Sequence, residues 1–159
     1  MTRNTTLSFT RTLAATPAAV WRCWTEPHLV KQWFAPRPVV TTEVEIDPRP
    51  GGIFRTVMQV PDHGEMSGAA GCILLAEPHR RLVWTTALGP EFHPNDIDAD
   101  VGGFAFTADF RIAPADTGCT YVVTVMHATP EASAAHAGMG FHDGWGTAAT
   151  QMETVAQDL

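Results

Sequence analysis

The spacing of hydrophobic and polar positions changes period along the chain, and each change predicts an element. Residues 5–13, TTLSFTRTL, set Leu7, Phe9 and Leu13 on one parity, the two-residue period of a half-buried strand. In TPAAVWRCWTEP, Thr16 has the side chain of a helix N-cap and Pro17 suits the first helical position. Val20, Trp21 and Trp24 form that helix's apolar stripe. Pro27 interrupts it and opens a second short helix, whose Leu29, Val30, Trp33 and Phe34 face the core. The period then returns to two. Residues 39–46 and 53–60 read as strands around a turn, DPRPGG, with Phe54, Thr56, Met58 and Val60 on one side of the second. Strands are also predicted over 66–76, 82–88, 104–112 and 119–127. In the last two, Phe104, Phe106, Ala108, Phe110 and Ile112 share a face, as do Tyr121, Val123, Val125 and His127. Finally Phe141, Trp145, Ala148, Met152, Val155 and Leu159, three and four apart, mark the buried face of a terminal helix.

The predicted order is one strand, two short helices, about six strands joined by short turns, and a long helix. Short turns between consecutive strands imply an antiparallel meander, so the fold class is α+β. A chain of 159 residues is the size of one domain, spanning 1–159. Its composition, 45% hydrophobic and 17% charged, is that of a globular protein. No apolar run approaches the roughly 20 residues of a membrane span, and the start lacks the apolar centre of a signal peptide. The expected location is cytoplasmic, without membrane insertion. A net charge of −7 with no basic cluster argues against nucleic acid as a partner. Cys23, Cys72 and Cys119 form no CxxC pair and read as reduced, buried thiols.

Motif chemistry is sparse. The seven histidines make no HxH or HExxH pair, so no metal and no cofactor is expected. His63, His79 and His93 fall in turns, whereas His127 ends a strand on its inward parity and His142 precedes Trp145 on the terminal helix. NDIDADVGG (95–103) alternates aspartates but has Val101 and Thr107 where a calcium loop needs Gly and Glu, so it reads as a solvated loop anchored by Phe92 and Phe104. RPGGIF lacks the lysine of a phosphate loop, and Gly51 and Gly52 read as turn residues with positive φ. No serine has a GxSxG context. Gly144 and Gly146 flank Trp145 inside a helical pattern, each at a cost of about 1 kcal/mol against Ala. Close backbone packing, above all at Gly144, would account for them.

Four segments, AAVWRCWTEPHLVKQWFAP (18–36), EIDPRPGGIFRTVM (45–58), EPHRRLVWT (77–85) and MGFHDGWGTAATQME (139–153), resemble the AHSA1-like (activator of Hsp90 ATPase homologue 1-like) branch of the START-like, or SRPBCC, superfamily. The resemblance implies a helix-grip fold, a curved antiparallel sheet around a long C-terminal helix, with a hydrophobic cavity between them. On that fold the expected ligand-lining set is Trp33 and Phe34 from the short helices, with Phe54, Met58, Trp84, Phe106, Val123 and His127 from the sheet. Met139, His142 and Trp145 complete it from the terminal helix. The function so implied is binding of a small hydrophobic molecule without defined catalysis, with residues 130–140 as a removable lid. Two alternatives accompany it. One is a polyketide cyclase- or aromatase-like enzyme using His127 or His142, with Asp109 or Asp143 as orienting partners, although the parity of Asp109 points it to solvent. The other is an Hsp90-type ATPase activator, against which the chain shows no NxNNWHW-like motif. A homodimer through an exposed sheet edge is compatible with the pattern.

Overall fold

The computed structural model describes residues 4–96 and 103–159. Its elements begin with β1 (Thr6–Leu13), α1 (Pro17–Thr25) and α2 (Pro27–Trp33). The strands β2 (Val40–Ile46), β3 (Ile53–Val60), β4 (Gly64–Ser67), β5 (Gly71–Glu77) and β6 (Arg81–Thr85) follow. A two-residue pair, β7 (Leu88–Gly89) and β8 (His93–Pro94), precedes the long hairpin β9 (Phe106–Ala115) and β10 (Gly118–His127). The chain finishes with α3 (Pro130–Gly138) and α4 (Phe141–Gln157). The main sheet runs β1-β10-β9-β6-β5-β3-β2, with β4 paired to β3, and every pairing is antiparallel. It is curled into a half-barrel, and α4 lies against its concave face. Register shifts at Thr41/Glu43 and Ile73/Leu75 add residues to one strand of a pair, which sharpens the bend.

The two-residue period of β9 and β10 puts Ala108, Phe110 and Ile112, with Tyr121, Val123 and Val125, into the core. Thr16 caps α1 by accepting a hydrogen bond from the Ala19 N–H, and Pro17 occupies its first turn. Val20, Cys23, Trp24, Val30 and Met152 are almost fully enclosed where α1, α2 and α4 meet the sheet. Side chains of α4 also tie down irregular backbone. Gln151 donates to the carbonyls of Trp33 and Ala35 and accepts from the Arg37 N–H, while Glu153 accepts from the Ala14 N–H.

Several expectations need correction. The strand predicted over 66–76 is two strands, because Gly68, Ala69 and Ala70 interrupt it between β4 and β5. The segment 130–140 contains a helix, α3, capped by Thr129, which accepts from the Ala132 N–H. Leu159 lies beyond the last helical turn and is exposed. Of the turn glycines, Gly51 has φ +85°, but Gly52 is required for space: a Cβ there would overlap the Asp47 carbonyl oxygen. The glycines around Trp145 also differ. A Cβ on Gly144 would meet only Pro36 Cγ at 3.7 Å, whereas one on Gly146 would press on the Arg11 guanidinium at 2.5 Å. The close approach is therefore at Gly146, where Arg11 crosses the helix to donate to Thr150 Oγ1.

These environments predict opposite effects. Gly52→Ala is expected to lower stability by about 3 kcal/mol through a backbone clash. Gly144→Ala is expected to raise it by about 1 kcal/mol by improving helix propensity. Urea unfolding of the two variants, at unchanged m-value, checks both.

Candidate functional site

The sheet and α4 do not close on each other completely. Between them lies a cavity of about 360 Å³. Its floor is the concave face, with Trp84 on β6, Phe106 and Phe110 on β9, and Tyr121 and Val123 on β10. Trp24 and Trp33 enclose one side, and α4 supplies Phe141, Trp145 and the small residues Gly144, Ala148 and Ala149. Those small residues explain the space, since larger side chains on that face would fill it. The most exposed lining residues are Met139 and Gly140 between α3 and α4, while Ala35 and Pro36 after α2 are half-buried. A smaller hollow of about 170 Å³ shares the walls Phe34, Met58, Trp84, Phe104 and Phe106 and reaches Phe54.

Ring geometry gives the cavity firm walls. Trp84 stacks on Phe54 at 4.5 Å, and Trp24 packs on Phe110 at 4.2 Å. The Trp145 ring is nearly parallel to Phe110, at 11° with centroids 6.2 Å apart. Most polar tips are satisfied: Trp24 Nε1–H donates to the Tyr121 hydroxyl oxygen at 3.0 Å, and Trp33 Nε1–H to the Cys23 carbonyl at 2.9 Å. Burial raises the Tyr121 phenol and pushes the Cys23 thiol up to about 12, so both stay protonated. Trp84 Nε1 is the exception, a buried donor with no partner among the described residues.

One polar pair reaches the cavity wall. His127, at the end of β10, places Nε2 2.9 Å from Nδ1 of His136 on α3, and its own Nδ1 lies 2.9 Å from the Thr5 carbonyl. Both rings are more than nine-tenths buried, and His136 lines the cavity among Phe104, Phe106, Phe141 and Trp145. Burial, with a smaller contribution from His127, pushes the His136 pKa down to about 4.

Of the expected lining set, Trp33, Phe34, Met58, Trp84, Phe106, Val123, Met139 and Trp145 line this cavity, and Phe54 lines the adjoining hollow. His127 stands behind His136 rather than on the wall, and Met139 lies in the α3–α4 junction rather than on the terminal helix. His142 is on the exposed side of α4, as is Asp143. Asp109 is on the outer face but not in solvent. It is 5% exposed and held by Arg81 through paired contacts of 3.1 and 2.8 Å, with Arg111 at 3.4 Å. It therefore orients neither histidine. Most of the 95–103 loop, including Asp98 and Asp100, lies outside the described residues, while Phe104 at its end lines the cavity. Among the described residues no group of three or more His, Cys, Asp or Glu could hold a metal, and no helix is long and apolar enough to cross a membrane. Sequence reasoning missed His136. Its signal was Thr129-Pro130, which repeats the Thr16-Pro17 helix start and puts Ser133 and His136 on one face of the helix that follows.

A curled antiparallel sheet gripping a C-terminal helix, with an apolar space between them, defines a START-like helix-grip protein. The family model for "Activator of Hsp90 ATPase homolog 1-like protein" matches residues 14–157, and the chain belongs to that family. A crystal structure of a Nitrosomonas europaea protein is similar, at 37% identity over 99% of this chain and 97% of that one, with a TM-score of 0.90. A Rhodobacter sphaeroides protein shares 28% identity over 98% and 94% of the two chains, with a TM-score of 0.81. A Mycobacterium smegmatis protein, at 23% identity over 94% and 89% and a TM-score of 0.76, shares the fold. No curated protein matches the chain.

The depressed His136 pKa has a signed consequence. In the folded chain the ring takes its proton only near pH 4, against an ordinary value of 6.5. Between those limits the unfolded chain holds more protons, so this group's contribution to stability falls as pH falls from 6.5 to 4. Wild-type protein is expected to lose more stability over that interval than His136→Phe, measured as the difference between their urea-unfolding profiles at pH 7.5 and 4.5.

Proposed function

We propose that the protein binds a small, predominantly apolar molecule in the cavity between its sheet and α4, and holds it without chemical conversion. The observation that carries this reading is the cavity of about 360 Å³, walled mainly by aromatic rings, with its most exposed lining residues at the α3–α4 junction. That volume falls within the range of small-molecule sites, which combine apolar walls with a few polar groups. Burying about 200 Å² of apolar ligand surface contributes on the order of 5 kcal/mol before the cost of association is subtracted. The unpartnered Trp84 N–H supports the same reading, because a buried donor is normally satisfied and an oxygen on a ligand would satisfy it.

Catalysis has less support. The histidine on the wall has its basicity lowered by burial, which makes it a poor proton acceptor near neutral pH. His142 and Asp143 face away from the space. In this reading the contacting residues are Trp33, Phe34, Met58, Trp84, Phe106, Val123, Met139 and Trp145, with Phe54 reached through the adjoining hollow.

N-phenyl-1-naphthylamine, an apolar dye that fluoresces on leaving water, tests the reading. Saturable one-to-one binding is expected. Gly144→Leu, which projects a side chain from α4 into the cavity, is expected to weaken it at least tenfold while the melting temperature stays within a few degrees of wild type. Absence of saturable binding, or full affinity in the folded Gly144→Leu protein, would remove this cavity as the site.

A further inference from the structure

The histidine pair fixes which hydrogen-bonding group His136 presents to the cavity, beside the Trp84 N–H donor. A carbonyl oxygen can only accept, so the hydrogen between the Thr5 carbonyl and His127 Nδ1 belongs to the ring. In the neutral ring His127 Nε2 is then an acceptor. The hydrogen between the two imidazoles, 2.9 Å apart, must accordingly sit on His136 Nδ1. His136 is left with an unprotonated Nε2, which has no protein partner among the described residues, and its ring lines the cavity. The backbone holds this relay in place: the His127 N–H donates to the same Thr5 oxygen at 2.9 Å, using that carbonyl's second lone pair.

We propose that His136 Nε2 is the ligand-anchoring acceptor of this cavity, set in that role by His127 and Thr5, and that the preferred ligand is a neutral, flat aromatic bearing a hydroxyl group. The inference rests on the binding function proposed above and adds the chemical class. An acceptor with a fixed lone pair selects a donor, and an aromatic hydroxyl is a stronger donor than an aliphatic one. The walls are mainly aromatic rings, whose faces and edges suit contact with another aromatic ring. Among the described residues no charged side chain lines the space, so a carboxylate would be buried without a counter-ion. His127 acts through His136 and is a positioning residue.

Three probes of similar shape separate the outcomes: 2-naphthol, 2-methoxynaphthalene and naphthalene, titrated against the 159-residue protein at pH 7.5. The first can donate, the second can only accept, and the third can do neither. The expected result is at least tenfold tighter binding of 2-naphthol than of its methyl ether. In His136→Phe that preference is expected to vanish while naphthalene affinity is retained. Equal binding of naphthol and ether by wild-type protein overturns the inference and leaves the binding function standing; binding of none of the three overturns both. A second measurement does not depend on a variant folding. Long-range ¹H–¹⁵N spectra of the wild-type imidazoles are expected to show the hydrogen on Nδ1 of both His127 and His136, the minor tautomer of free histidine. A hydrogen on Nε2 of neutral His136 overturns the assignment, whatever the ligand results.

Discussion

A curled sheet has a concave face that it cannot bury against itself, and in this chain the covering falls to one 17-residue helix about 25 Å long. Almost everything else follows from how α4 meets that demand. Phe141 and Met152 enter the core, Gln151 and Glu153 satisfy backbone groups of the loop after α2 and of the corner before α1, and Gly146 lets Arg11 cross beside the helix. Where the same helix presents Gly144, Ala148 and Ala149, contact with the sheet lapses and the cavity remains. A helix that covered the face completely would add stability and remove the site. The two short helices then act as a side wall, with Trp24 hydrogen-bonded to Tyr121 and packed on Phe110.

The legible parts of the fold were those in which burial imposes a period. β9 and β10 alternate so regularly that the inward set could be assigned from Phe106, Ala108 and Phe110 and from Tyr121, Val123 and Val125. The starts of α1 and α2 were marked by Thr16-Pro17 and Pro27, since proline costs nothing where a helix has no acceptor for its N–H. α3 was missed because it is rich in Ala and buries only Ser133 and His136, leaving no apolar stripe to detect. The break between β4 and β5 was hidden because small residues neither alternate nor prohibit a strand.

For the cavity, composition indicated the kind of wall but not its polar fittings. His142 stood out because it neighbours Trp145 in sequence, yet its helical position turns it outward. His136 belongs to no spacing motif. Its partner is nine residues earlier on a different element, and the hydrogen on that partner is set by a carbonyl 122 residues away in sequence. Such a relay is a property of three-dimensional neighbours. Asp109 teaches the converse: parity correctly put it on the outer face, but two arginines cover it there.

The exposed end of the cavity lies away from the sheet. The lining residues Ala35, Pro36, Met139 and Gly140 come from the segments after α2 and between α3 and α4, none of which belongs to the sheet. Met139 is already 59% exposed, and the neighbouring α3 buries little. In the proposed binding role, a local displacement of that one short helix would open the space without parting a single sheet hydrogen bond. On that reading the residence time of a guest would depend on the grip of α3 on its neighbours, whereas the fold rests on the sheet and α4. Exchange and stability would then answer to different parts of the chain.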